Sequence, residues 1–411
     1  MNNMMRRTTT ETIRHSPLLV RVGLSAVLLA SIGGWILSLL LLVVATRFHS
    51  QLFGMAVLVA LSVTSWWAAA KCFHWRSPRS GVIVFAIVLV VGLYALAAWC
   101  SPTGWVPPGS RLTSVYRGPN RFNRFSPAWL VDEADQVRLG GFLLPCLDPL
   151  MSREQGKRFA ETFSAVYAEL GHSSEFVQIG SAMGEAYADI LLGAGSTGHA
   201  YVYHPSARLN KRCPVIVFLH GWLGNMKPYV WSWARLADRC GFVIVCPTFG
   251  NGLWKGESAD DTLRWLDRVI REDPMCDARQ VFVVGLSNGG TGVTRWATVL
   301  PETYRGLVMV SPVMEDTDLP EFVSAVGSRP ILVVHGGNDN RIPPSYVEAS
   351  VARMKARGLQ VRSICYADED HILVLSSRER LQSDLLAWMS EQDRAPTTAP
   401  HSEPAARTPQ G

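Results

Sequence analysis

The chain has 411 residues and a formal net charge of +5, and 48% of its residues are hydrophobic. Beyond residue 100 this modest positive charge is not concentrated in a basic run interleaved with aromatic residues, which argues against nucleic acid as a partner. The length allows two or three domains, and the first quarter is much more apolar than the rest.

Three apolar segments occupy the first hundred residues, at Val22–Thr46, Leu52–Ala70 and Gly81–Cys100. Each is close to the about 20 residues that cross a bilayer as a helix. None contains Asp, Glu, Lys or Arg, so they have no polar face to offer water and none of the ionisable groups common in transport pathways. A cleaved signal peptide is excluded because the first run is too long and two more follow. We interpret residues 1–100 as a three-span anchor whose partner is the lipid bilayer.

The orientation of this anchor is predicted from the basic residues near the ends of the spans, because Lys and Arg are enriched on the cytoplasmic side. If the N-terminus is cytoplasmic, more of these basic residues lie on the cytoplasmic side than on the other. Those on the cytoplasmic side are Arg6, Arg7, Arg14, Arg21, Lys71, Arg76 and Arg79. Those on the opposite side are Arg47, Arg111 and Arg117. An odd number of spans then places everything after Cys100 on the extracytoplasmic side.

The next segments carry weaker patterns. Residues 101–150 are rich in Pro, Gly and Arg without a sustained period and are predicted to be a linker. Ser152–Leu170 has the apolar stripe of an amphipathic helix. Short strands are predicted at Phe176–Ile179 and Ala200–Tyr203. Residues 393–411 are a Pro-rich stretch predicted to be a disordered tail.

From Pro214 the chain alternates between apolar strands and helices. The predicted strands are Pro214–Leu219, Phe242–Cys246, Val281–Val284, Gly306–Val310, Ile331–Val334 and Val361–Tyr366. The predicted helices between and after them are Tyr229–Asp238, Ala259–Arg271, Gly292–Leu300, Ser345–Arg357 and Arg378–Ser390. Strands that are apolar on both faces and separated by helices indicate a doubly wound, mostly parallel sheet. We therefore predict an α/β domain over residues 151–392.

A candidate nucleophile follows the third of these strands. The strand Val281–Val284 ends at a glycine, and the pentapeptide Gly285–Gly289 has the pattern G-x-S-x-G with Ser287 at its centre. The pattern alone arises by chance with a probability of roughly 0.1 in a chain of this length. A strand before it and a helix after it are the context that a nucleophile elbow requires, in which the serine stands on a tight turn above the sheet.

Serine is a weak nucleophile at neutral pH, so Ser287 needs a base and the base needs an orienting acid. In a doubly wound sheet both partners are expected in loops at the carboxyl ends of later strands. Asp339 and His371 occupy such loops, in the chain order Ser, Asp, His. His371 is the predicted base and Asp339 the predicted acid. Three other carboxylates stay open as the acid: Asp316, Asp368 and Asp370.

An acyl-transfer site also needs two donors for the oxyanion. One is the backbone N–H of Asn288, directly after the nucleophile. The other is expected in the loop His220–Asn225, which follows the strand Pro214–Leu219, and there the N–H of Trp222 is the candidate. His220 itself is predicted to be a structural residue that holds this loop.

These motifs together resemble the α/β-hydrolase superfamily, over roughly residues 170–392. The motifs are HGWLGN at His220–Asn225, GLSNGG at Gly285–Gly290, GGNDNRIP at Gly336–Pro343 and DEDH at Asp368–His371. The elbow is similar to that of carboxylesterases of the dienelactone-hydrolase, acyl-thioesterase and polyhydroxybutyrate-depolymerase-like groups, and the catalytic domains of prolyl oligopeptidase relatives are also similar. The resemblance implies the α/β-hydrolase fold and hydrolysis through an acyl-enzyme.

Two features bear on the substrate. Many lipases insert a lid between the strands Gly306–Val310 and Ile331–Val334, but here only the short stretch Ser311–Pro330 separates them, so an open site is expected. Trp222 and Trp254 lie on loops at the predicted mouth and are expected to line an apolar pocket. The other tryptophans nearby, Trp231 and Trp233, are assigned to core packing.

Eight cysteines are present, without metal-ligand spacing. A disulfide between Cys213 and Cys240 is a hypothesis for an exported domain, and buried thiols are the alternative.

The sequence therefore predicts a membrane-anchored serine hydrolase that cleaves a small-molecule or polymeric carboxylic ester with water as second substrate and without a metal or organic cofactor. Cleavage of an amide, a peptide or a thioester is the nearest alternative. A hydrolase-fold domain that binds ligands or partners without turnover, or a membrane scaffold, is the alternative of another class.

Overall fold

A computed structural model describes residues 17–73, 76–102, 104, 106, 108–118, 129–193, 198–206 and 212–394. The chain divides into two compact units. The first, called here the helical unit, contains Met1–Thr103 and Asn123–Ser164, and the second, the sheet unit, contains Gly104–Phe122 and Ala165–Gly411. The predicted tail after Arg394 lies outside the described residues.

The helical unit begins with three long apolar helices: α1 (Pro17–Val44), α2 (Phe48–Phe73) and α3 (Ser80–Cys100). The segments Val22–Val44, Phe48–Phe73 and Ser80–Cys100 have mean hydropathies of 2.6, 1.7 and 2.7 and are long and apolar enough to cross a membrane. Large hydrophobic side chains stand exposed along them, as hydrocarbon-facing helices require. Their orientation stays a prediction.

Two further helices complete this part of the chain, α4 (Glu133–Leu147) and α5 (Arg153–Leu170), the second of which runs across the division at Ser164. The buried carboxylate of Asp135 on α4 accepts hydrogen bonds from the Thr46 amide at 2.8 Å, the Thr46 hydroxyl at 3.0 Å and the Arg47 amide at 3.1 Å. These donors directly precede α2, so Asp135 satisfies amides that the start of that helix leaves free.

The sheet unit is built on eight strands: β1 (Leu112–Tyr116), β2 (His199–Tyr203), β3 (Cys213–Leu219), β4 (Val243–Thr248), β5 (Cys276–Leu286), β6 (Gly306–Val310), β7 (Ile331–Gly336) and β8 (Val361–Tyr366). Their order in the sheet is β1-β2-β4-β3-β5-β6-β7-β8. β2 pairs antiparallel with both β1 and β4, and the remaining pairs are parallel. In β3, Val215 and Val217 point to one face of the sheet and Phe218 points to the other, and all three are completely buried. Both faces of the sheet are therefore covered. The predicted doubly wound, mostly parallel sheet is confirmed.

The helices of the sheet unit are α6 (Ser174–Gln178), α7 (Met183–Leu192), α8 (Lys227–Cys240), α9 (Gly256–Glu272), α10 (Gly289–Val299), α11 (Pro320–Val326), α12 (Pro344–Ala356), α13 (Leu373–Ser376) and α14 (Arg378–Arg394). One predicted strand, Phe176–Ile179, is wrong, because α6 covers most of it. Its three apolar residues are too few to separate the helical from the extended period, and the side chain of Phe176 is instead buried edge-on against the Trp231 ring.

The predicted linker at 101–150 also differs from the structure, since it contains β1 and α4. β1 forms the edge of the sheet beside β2, and Arg111 before it binds Asp238 of α8 through both carboxylate oxygens, at 2.8 and 3.0 Å. α4 contains Gly140, Gly141 and an internal Pro145, residues that interrupt the apolar period and resemble coil in a sequence. Their low helix propensity is outweighed here by tertiary packing.

The cysteine hypothesis is wrong in its pairing. None of the eight cysteines, all of them described residues, is in a disulfide, and Cys213 of β3 lies opposite Cys276 of β5 on the neighbouring strand. Cys240 is the last residue of α8, outside that strand pair. The alternative of buried structural thiols fits Cys213 and Cys276, which have almost no exposed surface.

Candidate active site

The turn after β5 is built as the nucleophile pattern requires. Ser287 has a φ of +54°, in the left-handed region that L-residues rarely adopt, and it is followed at once by α10. Its backbone is held from both sides, because its N–H donates to the Val310 carbonyl at 3.0 Å and its carbonyl accepts from Gly290 at 2.9 Å. The neighbouring strand and helix therefore hold Ser287 in this strained conformation.

Glycines on both sides of Ser287 make this turn possible. A Cβ at Gly285 would overlap the carbonyl oxygen of Gly289, and a Cβ at Gly289 would overlap the carbonyl oxygen of Leu219 at the end of β3. Gly290 is packed equally closely, against the Val313 carbonyl oxygen. Strand, turn and helix approach each other at backbone distance, which only glycine allows.

A continuous chain of hydrogen bonds joins three of the predicted residues. The Nε2 atom of His371 lies 3.1 Å from the Ser287 hydroxyl, and its Nδ1 atom lies 2.8 Å from Oδ2 of Asp339. The other carboxylate oxygen of Asp339 accepts from the amides of Arg341 at 2.9 Å and Ile342 at 3.0 Å. An Nδ1–H tautomer of His371, inferred from these partners, leaves Nε2 free to accept the serine proton.

The other acids considered from the sequence do not take this position. Asp368 is exposed, and Asp370 uses Oδ1 to accept from the Ile372 amide at 3.0 Å. Asp316 lies in the loop after β6 with a φ of +62°. Asp339 is distinguished from them by a side chain with no exposed surface and by its contact with His371.

The loops that carry Asp339 and His371 pack on each other through their backbones. A Cβ at Gly336 would overlap the Glu369 carbonyl oxygen, and one at Gly337 would lie 2.7 Å from the carbonyl oxygen of Ala367. The Asn338 amide donates to the carbonyl oxygen of Glu369 at 2.9 Å. These two glycines were present in the predicted acid loop, but their role in bringing the two loops together was not recognised from the sequence.

Glu369 is a further residue whose role could not be recognised from the sequence. Its carboxylate accepts from the hydroxyls of Ser376 at 2.6 Å and Ser377 at 2.8 Å. These bonds close the segment that contains His371 onto α13 and the start of α14. The only sequence signal for this clamp is a glutamate followed at some distance by two adjacent serines, which is too common to be informative.

The loop after β3 lies against the nucleophile. A Cβ at Gly221 would be 2.9 Å from Cβ of Ser287, so the backbone that leads into Trp222 runs directly beside the serine. Among the residues that the structure describes, neither the Trp222 nor the Asn288 amide donates to a protein acceptor. Both amides of the predicted oxyanion pair are thus adjacent to Ser287 and available.

His220 holds this loop, as expected of a structural residue. Its Nδ1 donates to the Gly221 carbonyl at 2.7 Å, and its Nε2 accepts from the Phe249 amide at 3.0 Å. Complete burial lowers the pKa of this imidazole to about 4, with the Gly221 bond opposing the shift. A proton on Nε2 would place two donors, this N–H and the Phe249 N–H, against each other. The His220 imidazole is therefore required to be neutral.

The two tryptophans predicted to line a pocket have different positions. Trp222 is 46% exposed beside the serine, where contact with a substrate is possible. Trp254 is completely buried: its indole N–H donates to the His220 carbonyl at 2.8 Å, and its ring stacks on Phe249. The expectation for Trp254 is therefore corrected, because a loop position in the sequence does not reveal that the side chain turns inward to support the loop after β3.

A second buried histidine, His199 on β2, makes the stability of the sheet unit sensitive to acid. Desolvation lowers its pKa to about 3, and its ring nitrogens contact the hydroxyls of Thr248 and Ser114. The folded pKa values of His199 and His220 lie below the unfolded value of about 6.5, so the unfolded state binds more protons. Their contribution is fully present above about pH 6.5 and is lost as the pH falls towards 4.

We expect the free energy of unfolding to drop by about 2 kcal/mol for each of these histidines between pH 7 and pH 5. Thermal unfolding at the two pH values, followed by tryptophan fluorescence, measures this loss. His199→Gln should be less stable at pH 7 but lose only about half as much on acidification. An equal loss in wild type and variant would contradict the assignment.

The fold and the site together define a class of protein. A serine on a strand–turn–helix, a histidine and a buried aspartate meet at the carboxyl ends of a mostly parallel, doubly wound sheet, and this is the architecture of the α/β hydrolases. The comparison with protein families agrees: residues 216–410 match the family described as "Alpha/beta hydrolase family". Over these residues the chain is similar to that family.

The proteins compared below share little sequence with this chain. The chain is 26% identical over 206 residues to the bifunctional acetylxylan esterase/xylanase XynS20E of Neocallimastix patriciarum, and the match covers 48% of this chain but only 28% of that protein. Among solved structures, Est1E from Butyrivibrio proteoclasticus is 14% identical with a TM-score of 0.39, covering 47% of this chain and 94% of Est1E. An S-formylglutathione hydrolase from Agrobacterium tumefaciens is 18% identical with a TM-score of 0.38, covering 47% and 89%.

Proposed function

We propose that this protein is a membrane-anchored serine hydrolase that cleaves a carboxylic ester through an acyl-enzyme. The observation that carries the proposal is the hydrogen-bonded chain from Asp339 through His371 to Ser287, with distances of 2.8 and 3.1 Å. Those lengths lie within the range that proton transfer between a nucleophile and its base requires. The strained turn holds the half-buried Ser287 at the end of the sheet where substrates of doubly wound folds bind.

In the first half of the proposed reaction, the Ser287 oxygen attacks the ester carbonyl carbon while its proton passes to Nε2 of His371. The negative charge moves to the carbonyl oxygen, and the amides of Trp222 and Asn288 stabilise it. The tetrahedral intermediate then expels the alcohol, which takes the proton from His371. The buried carboxylate of Asp339 stabilises the imidazolium in between, since its other oxygen is already held by two amides.

In the second half, a water molecule repeats the attack on the acyl-enzyme. His371 accepts a proton from the water, and the tetrahedral intermediate collapses to release the carboxylic acid and return the proton to the Ser287 oxygen. An ester rather than an amide is proposed as substrate because the curated relative, although matched over a minor part of its length, is named for an esterase activity.

The membrane part of the proposal rests on the three apolar helices of the helical unit. The basic residues flanking the spans favour a cytoplasmic N-terminus, and the odd number of spans would then put the sheet unit on the extracytoplasmic side. Protease protection of the chain in sealed vesicles of known orientation tests this placement.

A fluorophosphonate probe tests the proposed chemistry, because it reacts only with an activated serine. We expect the full-length protein in detergent to be labelled at Ser287, as identified by mass spectrometry of the tagged peptide. Labelling should vanish in Ser287→Ala and persist in Ser345→Ala, which alters an exposed serine at the start of α12. A folded wild-type protein that takes up no probe would refute the proposal and favour a non-catalytic binding role.

A further inference from the structure

The exposed hydrophobic side chains of the sheet unit are concentrated around the candidate active site. Among its described residues, the large hydrophobic side chains that stand exposed are Ile190, Leu191, Leu192, Trp222, Leu253 and Leu319. All except Leu319 lie at the end of α7 or in the loops after β3 and β4. We call these five side chains the apolar rim. Leu191 and Leu192 have the largest exposed fractions among them, 78% and 81%.

The end of α7 is attached to both loops. The Asp189 carboxylate accepts from the Asn251 amide at 2.9 Å in the loop after β4. One turn earlier on α7, Ala186 packs so closely on Gly224 of the loop after β3 that an added Cβ there would lie 2.7 Å away. Since α7 continues beyond Asp189 for only one more turn, Leu191 and Leu192 end beside these loops.

The two loops in turn touch each other next to Ser287. A Cβ at Gly252 would overlap the carbonyl oxygen of Gly221, and Gly221 itself contacts Ser287. Trp222 and Leu253 are the residues that directly follow these two glycines. The three segments that carry the apolar rim are therefore linked by contacts from the candidate nucleophile to the end of α7.

The chemistry of the rim indicates what it binds. The stretches Ile190–Gly193, Gly221–Gly224 and Gly250–Trp254 contain no Asp, Glu, Lys or Arg, so they offer no charge to an ionic partner. Exposed apolar surface of this kind is stabilised by contact with hydrocarbon. If the proposed anchor lies in a bilayer, a hydrocarbon phase is within reach of the sheet unit: α3 ends at Cys100 and β1 begins at Leu112, and the residues between them can extend over at most about 40 Å.

We propose that the apolar rim binds the hydrocarbon chains of a lipid bilayer and that the substrate is a long-chain ester dissolved in that bilayer. This inference rests on the proposed function and narrows its substrate class. The rim would dock on the membrane surface and take the acyl chain of the ester, bringing the carbonyl carbon to the Ser287 hydroxyl. Exposed hydrophobic side chains are unfavourable in water. In this proposal their exposure serves to select the substrate.

The test compares two esters with the same leaving group. The full-length protein is reconstituted into phosphatidylcholine vesicles, and hydrolysis of 4-methylumbelliferyl oleate, which partitions into the bilayer, is measured beside that of the soluble 4-methylumbelliferyl acetate. The readout is the ratio of kcat/KM for oleate to that for acetate, which cancels differences in orientation and yield. The variants are Leu253→Ser and the double change of Leu191→Ser with Leu192→Ser.

Leu319→Ser is the matched control. Leu319 is 45% exposed and Leu253 is 46% exposed, so the same area of leucine is removed in each. Asp318, the residue before Leu319, forms an ion pair with Arg353 near the end of α12. The helix α12 begins at the carboxyl end of β7 and leads away from that strand end. Leu319 itself stands in the loop after β6, outside the three segments that carry the apolar rim.

We expect the oleate-to-acetate ratio to fall about tenfold or more in the rim variants, because each loses leucine surface that hydrocarbon would cover, and to stay within about twofold in Leu319→Ser. An unchanged ratio in the rim variants, or an equal fall in Leu319→Ser, would overturn the inference. Hydrolysis of acetate without hydrolysis of oleate would overturn it while leaving the proposed function intact. Absence of both activities together with absence of probe labelling at Ser287 would remove the proposed function as well.

Discussion

His371→Ala is expected to lower kcat/KM for a soluble acetate ester by about 10⁴- to 10⁶-fold, because Ser287 loses the only base within hydrogen-bond distance in the described structure. His172→Ala, which alters an exposed histidine after α5, should change the rate by less than about twofold and serves as the control. Initial rates of acetate hydrolysis by the full-length proteins in detergent measure both.

The coupling between His371 and Asp339 sharpens this prediction. Asp339→Asn alone should cost about 10⁴-fold, because an amide at that position favours the wrong imidazole tautomer. The double variant should be no slower than His371→Ala, since the aspartate acts only through the histidine. Additive losses would mean that Asp339 acts on the reaction by another route and would contradict the hydrogen-bonded chain as the catalytic unit.

The largest expected loss of stability is at Gly289. Gly289→Ala places a Cβ on the carbonyl oxygen of Leu219, and neither the end of β3 nor the start of α10 can retreat, because both are buried. We expect a loss of at least about 4 kcal/mol, which for a unit of this size lowers Tm by roughly 10 °C or prevents folding. Tryptophan fluorescence reports the unfolding, since Trp254 and Trp296 are fully buried nearby.

Gly358→Ala separates steric overlap from backbone strain. Gly358 has a φ of +84° but open space around its Cβ position, whereas Gly289 has no such φ and no space. The control is therefore expected to cost only about 1 kcal/mol, the penalty of an L-residue in the left-handed region. Comparable Tm values for the two variants would show that the packing of the elbow tolerates a methyl group, contrary to its geometry.

Most of the sheet could be predicted from the sequence because its strands are apolar on both faces. β3, β4 and β5 through β8 each contain a short apolar run between turn residues, and such runs have few other stable arrangements. β1 and α4 were missed for the opposite reason. β1 is an edge strand with half-buried side chains, and the period of α4 is broken by glycine and proline, so tertiary contacts decide both.

The prediction of Ser287, His371 and Asp339 was possible because each follows the end of a parallel strand, and parallel strands bring their carboxyl ends to one edge. That reasoning selects loops but not the side chains within them. It could not exclude Asp316 or the neighbours of His371 as the acid, and it placed Trp254 in the wall of an apolar pocket. The direction in which a loop side chain points depends on backbone contacts such as those of Gly336, Gly337 and Gly252, which are formed by residues distant in the chain.

The sequence by itself determined the apolar helices, the alternation of strands and helices, and the order of serine, aspartate and histidine, since local composition and periodicity carry each of these. Only the tertiary structure decided which acid meets His371, that His220 and Trp254 support the loop after β3, and that three separate segments with exposed hydrophobic side chains contact one another near Ser287. The physical reason is that hydrogen bonding and close packing join residues through space, and no pattern along the chain records those distances.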